Sequence, residues 1–431
     1  MKLGLISLGC AKNRIDSELF LGVAKEYNLE LTSSLDDADI IAINTCGFIE
    51  SAKQEAIDTI LEICDYTEKK IVVMGCLVER YQESLEESIP EVDFYFPIRD
   101  YDNIDKLFKK LTSSTESHKI DYTNRVLSTL PHSAYIRIGD GCNNKCAYCA
   151  IPLIRGEFKS RTIEDIIAEA HSLVEKGVVE VILIAQDTTR YGSDLKDGTN
   201  LVMLIQEISK IKEIKMVRVL YLYPDEISED LLLEFKNNKK LALYFDIPIQ
   251  HASNKMLKLM NRRGSKELIR SHINKLRSYI PDVIIRSTLI VGFPTETEDD
   301  FKELYDFVKE IEFDRLGVFT FSPEENTKAY EMTPVISEKI AKQRYNKIME
   351  LQSNIIENKN KSLIGKKFKV LVDDFDFDAQ KYISRSYAYA PDDVDGCIYL
   401  DAEIPLILGE FYTVEITDAA VYDLIGKVID E

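Results

Sequence analysis

The chain has 431 residues, 45% apolar and 30% charged, a globular composition that at ~150 residues per domain calls for about three domains. Lys and Arg number 54 against 74 Asp and Glu, a net charge of −20, so the surface repels polyanions and attracts basic partners. No apolar run nears the ~18–20 residues that span a bilayer. Leu3–Leu8 is too short for a signal-peptide core before Lys12, Arg14, Asp16 and Glu18 follow, and a cytoplasmic protein is expected.

In chain order, Leu3–Leu8, Asp39–Asn44 and Lys70–Met74 read as buried strands. Ser17–Tyr27, Ser51–Asp65 and Val78–Ser88 read as the helices among them. This alternation predicts a small open α/β sheet with parallel strands. The Ser/Thr-rich Thr112–Ser117 and the irregular Ser128–Ser133 suggest a linker. Strands resume at Ala134–Gly139, Glu180–Ala185, Met216–Leu222, Leu241–Ile247, Val283–Val291 and Arg315–Phe321. Helical patterns at Thr162–Lys176, Leu201–Ile211, Ser228–Lys236, Lys266–Ser278 and Thr297–Glu310 separate them. Six βα repeats suit a partial (β/α)6 barrel, with chemistry expected on the face where the strands end. A charged helix, Ser337–Ser362, leads to five short strands: Lys367–Val372, Lys381–Ser386, Cys397–Leu400, Phe411–Ile416 and Leu424–Ile429. These predict a small antiparallel β-barrel of the OB-like kind. The expected division is 1–118, a linker at 119–133, 134–362 and 363–431.

Charge is uneven along this plan. Residues 1–133 carry 14 basic and 24 acidic groups, 134–362 carry 34 and 35, and 363–431 carry 6 and 15. The C-terminal barrel is therefore expected to repel nucleic acid and favour a basic protein.

Eight cysteines in a chain with no secretion signal point to metal binding rather than disulfides. The strongest motif is Gly141-Cys142-Asn143-Asn144-Lys145-Cys146-Ala147-Tyr148-Cys149, a C-x3-C-x2-C triplet placed just after the first strand of the partial barrel. Three thiolates can hold three irons of a cubane and leave the fourth open to a small chelating molecule. A structural zinc site asks for four closed ligands, and no fourth Cys or His is near in sequence. Cys10, Cys46 and Cys76 each follow one of the first three strands, within Leu8-Gly9-Cys10, Thr45-Cys46-Gly47 and Gly75-Cys76. Parallel strands bring their carboxyl ends to one edge, so these three can converge and hold a second 4Fe-4S cluster. Cys64 sits on an apolar helix stripe and Cys397 lacks partners at ligand spacing, so both read as structural. The five histidines are scattered.

The triplet, with an aromatic before its last Cys and a six-strand βα repeat after it, resembles the radical S-adenosylmethionine (AdoMet) superfamily. With the second cysteine set and the small barrel, nearly the whole chain resembles the methylthiotransferases. The matching stretches are Ser7–Glu18, Asn44–Glu50, Gly141–Arg161, Pro248–Gly264 and Arg286–Thr295. The small barrel is similar to the family's TRAM domain. Cys10-Ala11-Lys12-Asn13, Phe321-Ser322-Pro323-Glu324-Glu325 and Ser384-Arg385-Ser386-Tyr387-Ala388 look like the branch that modifies an aspartate of ribosomal protein S twelve. A transfer-RNA adenosine methylthiotransferase, or a non-catalytic iron–sulfur carrier, is the alternative.

The resemblance implies two 4Fe-4S clusters and AdoMet as cofactors. Cys142, Cys146 and Cys149 would hold the radical-generating cluster, and Cys10, Cys46 and Cys76 the sulfur-donating one. It further implies an adenosyl radical that abstracts a hydrogen, methylthio transfer to the β-carbon of the aspartate, and a reductant such as flavodoxin or ferredoxin. No side-chain acid or base is required. For AdoMet contacts the candidates are Tyr148, beside the cluster, and Gln186, Gln250 and Gly292, after barrel strands. Arg286 lies inside a strand and is placed to meet the AdoMet carboxylate. Arg155 and Arg161 follow the cluster loop, toward cofactor or substrate.

Overall fold

A continuous apolar run such as Ile40–Thr45 can be buried only if both faces of its sheet are covered. The computed structural model, which describes residues 1–392 and 394–430, shows how the N-terminal third does this. Five parallel strands lie in the order Glu30–Leu31, Lys2–Ser7, Ile40–Thr45, Lys70–Gly75 and Phe94–Pro97. Side chains alternate between two cores, as the strand period of two requires. Ile40, Ala42, Val72 and Met74 pack with Phe20 and Phe108 on one face. Ile41, Ile43, Ile71 and Val73 pack with Ile60 and Leu85 on the other. The register pairs Ser7 with Asn44 and Thr45 with Gly75, so three strands end at one edge.

The first helix runs Ala11–Glu26, six residues earlier than the pattern predicts. Its opening turns are polar, yet Asn13, Asp16, Ser17 and Glu18 are all buried. Their polarity is spent internally: Asn44 Nδ2 donates to the Asn13 carbonyl at 2.7 Å and to Ser17 Oγ at 2.9 Å. The short strand Phe94–Pro97 and the helix Ile104–Thr112 were not anticipated; the sheet-covering role of Leu107 and Phe108 explains them.

The chain forms two compact units. The first comprises Met1–Thr129, Tyr135–Leu173 and Ser322–Tyr330, and the second Leu130–Ala134, Val174–Phe321 and Glu331–Glu431. In the first, Arg125, within the stretch expected to be a linker, is fully buried and ion-paired with Glu18 at 3.3 Å and Glu169 at 3.2 Å.

The second unit holds the parallel pairs Glu180–Ile184 with Met216–Val219, and Tyr244–Asp246 with Ile284–Val291 and Arg315–Thr320. A single parallel bridge, Val217 to Leu241, joins the two groups. The strand Ser133–Arg137 starts in this unit, where the His132 carbonyl accepts the N–H groups of Val179 and Glu180. The helix Glu338–Lys361 precedes a closed five-stranded barrel. Its neighbours are antiparallel except Ile398–Asp401 and Leu424–Asp430, which run parallel, a departure from a purely antiparallel barrel. A buried ionic knot ties barrel to sheet. Arg385 Nη2 meets Glu180 Oε2 at 2.8 Å and Arg385 Nε meets Asp373 Oδ2 at 2.5 Å. Arg218 reaches Glu180 at 3.2 Å, and His132 reaches Asp373 at 2.8 Å.

Candidate functional site

Three side chains from the shared strand edge come together. Cys10 caps the helix Ala11–Glu26, Cys46 follows Ile40–Thr45, and Cys76 opens the helix Cys76–Ser88. Asn13 sits at their centre. Its Oδ1 accepts from Cys76 Sγ at 3.3 Å and lies 4.0 Å from Cys10 Sγ. Its Nδ2 donates to the Thr45 carbonyl at 2.9 Å and the Leu8 carbonyl at 3.3 Å, fixing the backbone on which Cys46 and Cys10 stand. Cys46 reaches the same place: a methyl on Gly9 would stand 3.3 Å from its Sγ.

Arg155 closes the group. It ends the short helix Ile151–Arg155, directly after the C-x3-C-x2-C loop. Its Nη2 lies 3.8 Å from Cys76 Sγ, 3.1 Å from Asn13 Oδ1 and 2.6 Å from Asp16 Oδ2. Its Nη1 donates to Asp140 Oδ2 at 2.9 Å. Asp140 in turn accepts the N–H of Gly141, at the start of the cysteine loop, at 2.9 Å. Arg137 bridges the same two carboxylates, at 2.5 Å to Asp16 and 3.2 Å to Asp140. One buried charge network within the first unit therefore runs from Cys76 to the Gly141 backbone at the start of the second triplet's loop.

These surroundings set the acidities. Burial pushes the Cys76 thiol up to about 12, with Arg155 drawing the other way. Burial also raises Cys46. For Asp140, burial raises and the guanidinium groups of Arg155 and Arg137 outweigh it, leaving its carboxyl below the usual range. None of the eight cysteines is disulfide-bonded. Among the described residues no three His, Cys, Asp or Glu side chains close tightly enough on one point to hold a single metal ion. A four-iron cubane, wider than one ion, asks for thiols set further apart.

The second triplet lies on a loop pinned at both ends. The Cys142 N–H donates to the Gly156 carbonyl at 3.0 Å, the Cys149 N–H to the Cys146 carbonyl at 3.2 Å, and the Ala329 N–H to the Ala147 carbonyl at 2.8 Å. Cys142 is buried, while Cys146, Tyr148 and Cys149 are half-buried. The motif Ser322-Pro323-Glu324-Glu325 also belongs to this unit. Buried Glu324 pairs with Arg80 at 2.7 Å and Lys53 at 3.4 Å, and Arg80 holds the Gly47 carbonyl, next to Cys46, at 2.7 Å.

Of the expected AdoMet contacts in the second unit, Gln186 follows its strand, and its buried Oε1 has no hydrogen-bond partner among the described residues. Gln250 is buried at φ 69°, a left-handed backbone that costs a non-glycine residue energy. Gly292, at φ 74°, packs on the helix Glu338–Lys361: a methyl there would stand 2.5 Å from Ala341 Cβ. Its N–H is already held by Glu296. Arg286 lies inside its strand, as expected. It is the third residue of Ile284–Val291, far from the strand's end, and pairs with Asp246 at 3.4 Å and Asp395 at 3.7 Å. Arg161 likewise serves Glu169 at 2.5 Å and Asp165 at 2.6 Å.

Family models match along the chain: the Radical SAM superfamily over residues 136–308, the UPF0004 family over 2–97 and the TRAM domain over 364–429. A curated relative from Acetivibrio thermocellus, ribosomal protein uS12 methylthiotransferase RimO, is 48% identical across 100% of this chain and 99% of its own. The chain belongs to the RimO family. RimO proteins of Clostridium novyi and Clostridioides difficile are 49% and 45% identical, each over 100% of this chain, and over 98% and 99% of their own. Among solved structures, the radical AdoMet methyltransferase TsrM of Kitasatospora setae aligns with a TM-score of 0.57 at 12% identity, over 74% of this chain and 72% of its own. The radical enzyme OxsB aligns at 0.52 and 14%, over 82% and 56%; both likenesses speak to fold alone. As a RimO-family radical AdoMet enzyme the chain uses iron–sulfur clusters and AdoMet, and its residues fit them. Three converged thiols beside a buried guanidinium suit an anionic cluster, and the unpartnered Gln186 Oε1 suits a polar ligand.

Proposed function

We propose that this RimO-family chain replaces a hydrogen on the β-carbon of an aspartate of ribosomal protein uS12 with a methylthio group. The observation that carries this reading is the charge network of Arg155, Asp16 and Asp140, which inside one compact unit reaches Cys76 of one triplet and the Gly141 N–H that leads into the other. Cys142, Cys146 and Cys149 would hold the cluster that takes AdoMet, and Cys10, Cys46 and Cys76 the auxiliary one. When bound, these groups supply one-electron cleavage of AdoMet and the sulfur that is transferred.

The chain's own part is positioning and electrostatics. Asn13 fixes the Cys10 and Cys46 turns through backbone carbonyls. Arg155 sets a permanent positive charge beside Cys76, which favours its thiolate and thereby metal ligation. Asp140 and Gly141 tether the second cysteine loop to that charge. AdoMet contacts fall to Tyr148, Gln186 and Gln250 by residue type and chain position, with Gly292 shaping the turn after its strand. Arg286, inside its strand, remains the candidate for the AdoMet carboxylate.

The reductant is of the flavodoxin or ferredoxin kind. The setting is the cytoplasm, in keeping with eight cysteines outside disulfides and no described helix long and apolar enough to cross a membrane. The division into 1–118, 119–133, 134–362 and 363–431 is part of the same proposal. The test is mass spectrometry of uS12 incubated with reconstituted enzyme, AdoMet and reductant. A methylthio adduct on an aspartate supports the reading, and an unmodified protein after AdoMet turnover overturns it.

A further inference from the structure

The two cysteine-bearing regions of the first unit are both gripped by a stretch that holds no cysteine, Ser322–Tyr330. At its start, Ser322 Oγ accepts the Glu50 N–H at 3.3 Å and donates to Glu324 Oε1 at 2.8 Å. Glu324 is 2% exposed, and its other oxygen meets Arg80 at 2.7 Å and Lys53 at 3.4 Å. Arg80 also donates to the Gly47 carbonyl at 2.7 Å and to the Glu325 carbonyl at 3.3 Å. Tyr81 donates to Glu325 Oε2 at 2.6 Å. Arg80 and Tyr81 stand on the helix that Cys76 opens, and Gly47 follows Cys46. A methyl on Gly47 would stand 2.7 Å from Leu77 Cα, so the Cys46 turn and the start of the Cys76 helix move together.

The far end of the stretch holds the other triplet. The buried Ala329 donates its N–H to the Ala147 carbonyl at 2.8 Å, between Cys146 and Cys149. The chain between the two grips is stiff. The Glu324 carbonyl accepts the Thr327 hydroxyl at 2.6 Å and the Thr327 N–H at 3.2 Å, and the Thr327 carbonyl accepts the Tyr330 N–H at 3.2 Å. Ser322–Ala329 is thus a short brace from the Cys46 turn to the C-x3-C-x2-C loop. Burying a carboxylate with two cations gains little stability over apolar packing. What charge and directed hydrogen bonds supply is a fixed position. Position matters when one cluster supplies the radical and the other the sulfur, because misplacing a reacting group by about 1 Å costs up to about 10²-fold in rate. We propose that Glu324 is a positioning residue that sets the spacing of the two clusters through Gly47 and Ala147. The proposal rests on the reading that each triplet holds a cluster. A second tie, from Arg155 through Asp140 to Gly141, acts at Cys76, so loss of Glu324 loosens the spacing without parting the loops.

The test compares four reconstituted full-length proteins: the parent, E324Q, Y81F/S322A, and I60V, which trims the core of the same unit away from the brace. With both clusters reduced by dithionite, electron paramagnetic resonance reads the magnetic interaction between them. It is the departure from the summed spectra of the Cys10/Cys46/Cys76→Ala and Cys142/Cys146/Cys149→Ala variants, and it falls with the cube of the separation. The parent and I60V are expected to show the same interaction. E324Q, at unchanged iron content, should show a weaker one and up to about 10²-fold fewer methylthio adducts per 5′-deoxyadenosine. Y81F/S322A keeps the buried charge and should fall between; it carries the test if E324Q takes up no iron. No interaction in the parent, an interaction in the brace variant equal to the parent's, or an equal loss in I60V overturns the proposal. With about eight irons in the parent, any of these leaves the two-cluster reading standing. Fewer irons in the parent overturn that reading, and this proposal with it.

Discussion

The Arg155 guanidinium lies 3.8 Å from Cys76 Sγ while its other nitrogen grips Asp140, two residues before Cys142. A residue just after the C-x3-C-x2-C loop thus places positive charge beside the other cysteine set. N–H groups and positive charge at a cluster's sulfurs stabilise its reduced form. In a background lacking Cys142, Cys146 and Cys149, R155Q is expected to lower the auxiliary cluster's reduction potential, with R155K intermediate. An electron-paramagnetic-resonance redox titration reads this directly. R155Q also removes one of the two guanidinium partners of Asp16 and Asp140 and leaves Arg137 to hold both. An unchanged potential would confine Arg155 to holding the fold.

Iron content separates the two triplets. Anaerobically reconstituted protein should hold about eight irons, two cubanes of four. Replacing Cys142, Cys146 and Cys149 by Ala should halve this and abolish AdoMet cleavage. Replacing Cys10, Cys46 and Cys76 should also halve it, sparing some cleavage but ending methylthio transfer. Cys64→Ala should leave iron unchanged, since Cys64 packs against the Ile60 and Leu85 core. Iron assays alongside 5′-deoxyadenosine production decide all three.

Glu180 gives a pH dependence with a definite sign. Burial raises its affinity for a proton, but Arg385 and Arg218 outweigh that and hold it down at about 2, against about 4.3 in an unfolded chain. A lowered folded value contributes stability above pH ~4.3, lost as the pH falls toward 2, worth about 3 kcal/mol when fully present. E180Q should therefore destabilise the second unit near neutrality and differ little from the parent in strong acid. Hydrogen exchange in Lys381–Ser386 measures this, and a difference that grows in acid would contradict it.

The acidic run of the small barrel divides in two. Asp373 is buried on Arg385 and His132, so D373N should loosen the barrel rather than alter binding. Asp374 and Asp378 are exposed; changing both to Asn should slow association with basic uS12, most at low salt. Stopped-flow association at two ionic strengths distinguishes these effects.

Much of this was legible in the residues. Strand runs such as Lys70–Met74 carry their own period, and Cys10, Cys46 and Cys76 declared themselves by following strands whose parallel pairing places the ends together. Less legible was anything whose polarity is satisfied from far away. Asn13 and Asp16 fall ahead of the helix that the pattern predicts, because their partners, Thr45 and Arg137, lie 32 and 121 positions off. Their one local signal was position, three and six residues after Cys10 and so on one helix face. The ion pairs of Arg286 were hidden for the same reason: Asp246 pairs with it through strand register, and Asp395 through the barrel. Composition could not show that an acidic barrel gathers three of its lysines along one cleft.

The most direct measurement is uS12 mass analysis with three enzymes side by side: the parent, the Cys10/Cys46/Cys76→Ala variant and the Cys142/Cys146/Cys149→Ala variant. Each is reconstituted and given AdoMet and reductant, with 5′-deoxyadenosine followed in the same tubes. The expected result is a methylthio adduct on one aspartate with the parent alone, and 5′-deoxyadenosine from the parent and the first variant but not the second. An adduct formed by either variant, or methylthio found on transfer RNA and none on uS12, would contradict the assignment of the two cysteine triplets or of the substrate respectively.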